Sequence, residues 1–214
     1  MKEWCIPPSE DENFICAMED ILDVYKRPLS ADEVLVCIDE TTKQHIKEIR
    51  PPEKIRCGKA GKYDCEYVRN GVSHVFMMSA PHEGWRHVEV KDSHKKEDFA
   101  DCLKLLADRC FPDRKIILVM DNLNTHNFGS LYKRFPAEEA HCLKKRFEIH
   151  YTPKHGSWLD MAEIELSVLS KQCLNRRLPD QEFLKNEIAE WESNRNQESN
   201  KINWQFTTKD ARIK

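Results

Sequence analysis

The sequence predicts an α/β protein with a mixed sheet and helices on both faces, and three observations carry that expectation. Two runs, Val34-Leu-Val-Cys-Ile38 and Ile116-Ile-Leu-Val-Met120, are apolar without alternation, as in central strands covered on both sides. Each ends abruptly on a carboxylate, Asp39 and Asp121. Between them, His74–Ser79 and Trp85–Val90 flank Pro81-His-Glu-Gly84, a hairpin pattern, whereas the later apolar runs alternate with helix-period segments.

Taken in order, Ser9-Glu-Asp-Glu12 fits a capping box, and Phe14, Met18, Ile21 and Tyr25 recur at helical spacing before Pro28. Residues 1–30 therefore read as a linker-like lead and an amphipathic helix. The first strand spans Val34–Glu40. A loop from about Ile49 to Asn70 holds Pro51, Pro52, Gly58 and Gly61 with Lys54, Arg56, Lys59, Lys62 and Arg69, and Tyr63 and Tyr67 lie among them. Such a loop suits a nucleic-acid backbone, or equally a solvated surface with its tyrosines packed beneath.

After the hairpin, Phe99, Cys102, Leu103, Leu106 and Cys110 form the apolar face of a helix over about Ser93–Cys110. The strand ending at Met120 follows. Past His126 come a polar turn, a short helix, and a helix opening at Pro136 with Ala140, Leu143 and Phe147 inward. Phe147–Tyr151 is a further strand, and Ser157 is placed to cap a long helix, Trp158–Leu174, facing inward through Ala162, Leu166, Leu169 and Cys173. Pro179 opens a last long helix carrying Leu184, Ile188 and Trp191. A polar segment, Asn194–Asn200, and a short capped helix start, Thr207–Asp210, complete the chain.

With 214 residues, 40% of them apolar, the chain can bury a sizeable core. Its net charge of −3 gives no bulk attraction to nucleic acid, so any such binding must come from local basic patches. Nine cysteines, an odd number without a Cys-x-x-Cys pair, read as buried thiols in a reducing compartment. The first residues lack the apolar core of a signal peptide and no run is long enough to span a membrane, so a cytoplasmic protein is expected.

If the acid-terminated strands are neighbours, Asp39 and Asp121 lie close together, and an acid on the Trp158–Leu174 helix completes a cluster. Self-repulsion in such a group calls for a cation. Carboxylate oxygens without His or Cys suit Mg²⁺ or Mn²⁺, and two such ions about 3.5–4 Å apart stabilise both oxygens of an in-line phosphoryl displacement. The helix offers Asp160, Glu163 and Glu165. At about 100° per residue only one of Glu163 and Glu165 can face the site, and Glu165 falls close to the apolar stripe; periodicity does not choose between them.

Three segments carry a resemblance: Cys37-Ile-Asp-Glu-Thr-Thr-Lys-Gln44, Val119-Met-Asp-Asn-Leu-Asn-Thr-His126 and Tyr151-Thr-Pro-Lys-His-Gly-Ser-Trp-Leu-Asp-Met-Ala-Glu-Ile-Glu165. In this order and spacing the chain resembles the catalytic domain of a DDE transposase, in the bacterial insertion-sequence-630 branch of the mariner superfamily. The resemblance implies a ribonuclease-H-like fold over residues 31–178, with residues 179–214 as a C-terminal helix and tail packed on it. By motif position it assigns Asp39, Asp121 and Glu163 as the catalytic and metal-holding triad, with Asp39 bridging two Mg²⁺ ions, for which Mn²⁺ substitutes. Asp160 stands where the family usually has Asn.

Further implications are cleavage of element ends, attack of the freed 3′-hydroxyl on target DNA, DNA as partner, a homodimer, and a bacterial, nucleoid-associated location. The family's N-terminal helix-turn-helix region is not recognisable here, so the chain is expected to be a catalytic half. Lys59, Lys62, Arg69, Lys154 and His155 are the candidate DNA contacts. Asn122, Asn124 and His126 are expected to hold the turn after Asp121, Glu40 to face away from Asp39, and Trp158 to belong to the core. Arg176 and Arg177 suit either phosphates or a solvated helix end. Two rival readings are a decayed or domesticated domain without activity and, remotely, a haloacid-dehalogenase-like phosphotransferase with Asp39 as nucleophile.

Overall fold

The structure, a computed structural model, describes residues 12–50, 53, 55–62, 65–123 and 126–211. The capping residues Ser9–Asp11, together with Pro51, Pro52, Lys54, Tyr63 and Asn124, lie outside them. In chain order the elements are α1 (Glu12–Lys26), β1 (Glu33–Glu48), β2 (Tyr67–Ala80), β3 (Trp85–Lys91), α2 (Lys96–Leu105), β4 (Lys115–Met120), α3 (Gly129–Arg134), α4 (Ala137–Lys144), β5 (Phe147–Tyr151), α5 (Met161–Leu169), α6 (Gln181–Gln197) and α7 (Thr208–Ala211). A wider π turn prolongs α2 through Cys110 and α5 through Leu174.

The sheet order is β3-β2-β1-β4-β5. β2 pairs antiparallel with both β1 and β3, while β4 runs parallel to both β1 and β5, which makes the sheet mixed. Alternation along the strands then builds two cores. Leu35, Cys37, Met77, Ile117 and Val119 face α1, α5 and α6; Val36, Ile38, Phe76, Leu118 and Met120 face α2, α3 and α4. Helices thus cover both faces, and the central strands are apolar on both sides because neither side meets water.

Several expectations are corrected. β1 and β2 are far longer than their apolar runs: pairing continues from Cys37↔Ser79 out to Glu48↔Tyr67, with a bulge between Gln44 and Ile46. The outer part, Thr41–Glu48, is largely polar and, apart from His45, exposed or half-buried, so it carries no hydrophobic signature. Ser157 does not cap the long helix. It opens a 3₁₀ turn, Ser157–Leu159, and α5 starts only at Met161, where the side chain of Asp160 accepts a hydrogen bond from the Ala162 amide at 2.8 Å. Of the cysteines, Cys37, Cys102 and Cys173 are buried, but Cys16, Cys57, Cys65 and Cys142 are exposed. Cys16 and Cys142 sit on the outward sides of α1 and α4, and Cys57 and Cys65 lie between β1 and β2, where there is no core to enter.

One buried polar network fastens the C-terminal elements to the sheet. The guanidinium of Arg86, on the edge strand β3, is 2% exposed and lies 3.4 Å from the carboxylate of Glu165 on α5. It also donates to the carbonyls of Arg195 (2.7 Å) and Asn200 (2.8 Å). Arg195 reaches the same carboxylate at 3.2 Å, and Asn196 exchanges two hydrogen bonds with the Arg86 backbone. Gly84, in the hairpin turn, has φ +68 and approaches the Ser199 backbone so closely that a Cβ would stand 2.4 Å from its carbonyl oxygen.

Candidate active site

The site begins with strand register. Ile38↔Met120 is the last pair between the parallel strands β1 and β4, so Asp39 and Asp121 emerge side by side on neighbouring strands about 4.8 Å apart. The third acid arrives from the other direction. β5 ends at Tyr151, and the chain turns tightly through Pro153–Gly156, where His155 has φ +67 and a Cβ on Gly156 would stand 2.5 Å from the Pro153 ring. That turn aims α5 across β1 and β2, with Glu163 in its first turn.

Asp39 and Glu163 line one cleft of about 500 Å³, together with Glu40, Thr41, Thr42, Lys43, Leu166, Ser167, Ser170 and Leu174. Burial, then the charges of Glu40, Glu163 and Asp121, raise the Asp39 carboxyl to about 7, against a 2.8 Å hydrogen bond from the Glu40 amide that lowers it. Glu165, in contrast, is 1% exposed and turned inward to Arg86 and Arg195. The structure thus resolves what periodicity left open: Glu163 faces the cleft and Glu165 the interior.

Asp121 is held by His126. The imidazole Nδ1 meets the Asp121 carboxylate, Nε2 lies 3.0 Å from Glu40 on the opposite side of the ring, and the ring packs against Phe99 at 4.6 Å. Burial alone would lower this histidine's pKa; the contacts with Asp121 and Glu40 outweigh it and raise it to about 9. His126 is therefore wedged between two acids whose contacts favour its protonated form. The sequence reading gave it only to the turn, and no local signal marks the contact with Glu40 in β1.

Asp160 is buried directly behind the acids. One of its oxygens caps α5 and the other, Oδ2, is buried without a hydrogen-bond partner. Burial first, and then the charge of Asp39, lift its carboxyl well above the ordinary carboxylate range. Tyr25 of α1 closes this side, donating to the Leu159 carbonyl at 2.5 Å.

The candidate donors are all carboxylate oxygens, the chemistry that suits a hard divalent cation. Among the described residues no group of three or more His, Cys, Asp or Glu side chains is arranged to hold a metal ion. Asp121 is engaged by His126 and is not among the residues that line the cleft.

The candidate DNA contacts stand elsewhere. Lys59 and Lys62 belong to the small bridged turn between β1 and β2, Arg69 is exposed on β2, and Lys154 and His155 are exposed in the turn before α5. None lines the cleft. Arg176 and Arg177 are ion-paired within the chain, to Glu187 and Glu48. Trp158 is partly buried, its ring edge-on to Phe206 at 5.7 Å. Thr41, Lys43, Ser167 and Ser170 were not singled out from the sequence. Counting in twos along the strand from Asp39, and by four and seven along the helix from Glu163, would have found them.

Solved structures with the same fold include the Mos1 strand transfer complex, at TM-score 0.58 and 17% identity, covering 90% of this chain and 58% of that one. The mariner Mos1 paired end complex with Mg gives TM-score 0.58 at 13% identity, covering 94% and 60%. The catalytic domain of Mos1 mariner transposase gives TM-score 0.55 at 14% identity, covering 88% and 85%. The chain therefore spans less than two thirds of the longer Mos1 chains and most of the isolated catalytic domain, whose ribonuclease-H-like fold it shares. No curated protein matches it at a significant level. The family model for the DDE superfamily endonucleases matches residues 34–185, a span that runs from β1 into α6 and contains Asp39, Asp121 and Glu163, and the chain belongs to that family.

Proposed function

We propose that this DDE-family endonuclease is the catalytic domain of a DNA transposase of the insertion-sequence-630 type, with residues 31–178 as its catalytic unit. The reading is carried by the strand register that sets Asp39 beside Asp121, with Glu163 sharing the cleft of Asp39, in a chain of the DDE endonuclease family. Mos1 structures of the same fold were solved as paired end complexes with Mg and with Mn, which supports a divalent-cation site and DNA as the partner. Asp39, Asp121 and Glu163 would hold two Mg²⁺ ions, or Mn²⁺ in their place. Bound there, the ions supply charge neutralisation of the scissile phosphate and activation of the attacking oxygen.

The chain's own residues prepare that chemistry. Asp39 is held by the Glu40 amide at the edge of a buried sheet, so its carboxylate is already partly desolvated. His126 fixes one face of Asp121, and Asp160 caps the helix that presents Glu163. Cleavage by water frees a 3′-hydroxyl on the element end, which then attacks target DNA at the same centre.

The test is nicking of supercoiled DNA in Mn²⁺ by the chain and by Asp121→Ala. The parent is expected to nick and the variant to fall to background. Equal nicking by both would refute the assignment, and none by either would favour a domain that keeps the fold without the activity.

A further inference from the structure

The cleft that holds Asp39 and Glu163 does not end at the acids. Along β1, Asp39, Thr41 and Lys43 share the face that Leu35 and Cys37 present to α5, because side chains alternate along a strand. Glu163, Ser167 and Ser170 follow one another at helical spacing down the facing side of α5. Two parallel rows thus run from the acids to Leu174: two carboxylates at one end, then hydroxyls and an ammonium.

Lys43 is the fixed point of that far end. Its Nζ donates to the carbonyl of Leu174, at the C-terminal end of the helical stretch that begins with α5, where the helix dipole is negative. This contact holds the charge about 13 Å along the strand from Asp39 and leaves the ammonium with donors to spare. Ser167 and Ser170 are exposed, and neither hydroxyl is committed to the core. A groove lined by hydroxyls and one lysine, without a large apolar floor and opening from a nuclease centre, matches a sugar-phosphate backbone, which offers anionic and hydroxyl-accepting oxygens at regular intervals.

We infer that the cleft between β1 and α5 is the track of the DNA strand flanking the scissile phosphate, with Lys43 as its charged contact and Thr41, Ser167 and Ser170 as its hydrogen-bonding contacts. This rests on the DNA-cleaving reading above and names where its substrate lies. The contacts are to backbone, so they set register without reading sequence.

The experiment measures binding of a fluorescent DNA duplex with a single-stranded end, in EDTA, where no cleavage occurs, across a range of salt. Lys43→Gln is expected to weaken binding about tenfold, as for loss of one charge-assisted contact, and to make the dependence of log K on log salt shallower by about 0.7–0.9. Lys43→Arg should keep the parent's slope. Ser167→Ala with Ser170→Ala should weaken binding severalfold with the slope unchanged, and because both serines are exposed this pair keeps the test valid if Lys43→Gln lowers the melting temperature. A parent without measurable affinity, or both sets of variants binding as the parent does, would overturn the inference. Asp121→Ala in the same assay separates the two readings. If neither the parent nor Asp121→Ala nicks DNA while Lys43→Gln still loses affinity, the catalytic reading fails and the track stands; if the parent nicks while the groove variants bind normally, the track alone fails.

Discussion

Asp39→Asn is expected to lower Mn²⁺-dependent nicking by at least about 10²–10³-fold, the scale seen when one preorganised electrostatic group is removed from a catalytic centre, while making the cation-free protein more stable. The two effects have one cause. Asp39 is half-buried beside Glu40, Glu163 and Asp121, and partial burial together with their charges raises its carboxyl from its ordinary 3.8 to about 7. A carboxyl whose folded pKa is raised adds no penalty below the unfolded value and costs stability as pH rises through the window from about 4 to about 7. Asparagine keeps the shape without that charge. In EDTA the variant should therefore melt like the parent near pH 4 and be more stable by about 1–3 kcal/mol at pH 8. Melting curves across that range check the sign. A variant that is less stable at pH 8 would show that the acids do not repel one another as described.

Arg86→Ala should destabilise the fold by about 3–5 kcal/mol, the cost of stranding one partner of a buried ion pair. For a chain of this length that corresponds to a drop of roughly 6–20 °C in melting temperature. Glu165 would keep only Arg195, and the carbonyls of Arg195 and Asn200 would lose their donor. Because Glu165 lies two residues beyond Glu163 on α5, the same loss should loosen the helix that presents the third acid. Replacing both charges together, Arg86→Met with Glu165→Leu, should recover only part of the stability: the stranded carboxylate is gone, but Arg195 loses its partner and the carbonyls of Arg195 and Asn200 still lack their donor. Urea or thermal melts of the three proteins decide it. A change under about 1 kcal/mol for Arg86→Ala would mean that the pair is solvated.

What could be read from the residues follows how local the cause is. Val34–Ile38 and Ile116–Met120 are apolar on both faces because both faces are covered, so the central strands and the acids at their ends were legible directly. Thr41–Glu48 were not, since the outer arm of β1 is held by backbone pairing with β2, which leaves no trace in side-chain polarity. Choosing between Glu163 and Glu165 needed Arg86, which lies 79 residues before Glu165 in sequence and makes a buried glutamate behave like a core residue. His126 looked like a turn residue for the same reason: its partner Glu40 comes from β1, and only the parallel pairing of β1 with β4 brings the two together. Ser157 and Asp160 are both good capping residues. The 3₁₀ turn between them decides for Asp160, and capping propensity alone does not encode it.

The central claim is that Asp39, Asp121 and Glu163 hold divalent ions at the centre that cuts DNA. Diffraction at the manganese absorption edge, from crystals grown with Mn²⁺ and a DNA end that resists cleavage, tests it most directly. The predicted result is anomalous density touching Asp39 together with Asp121 or Glu163. Manganese bound only away from these residues, or absent from them at saturating concentration with the DNA end in place, would contradict it.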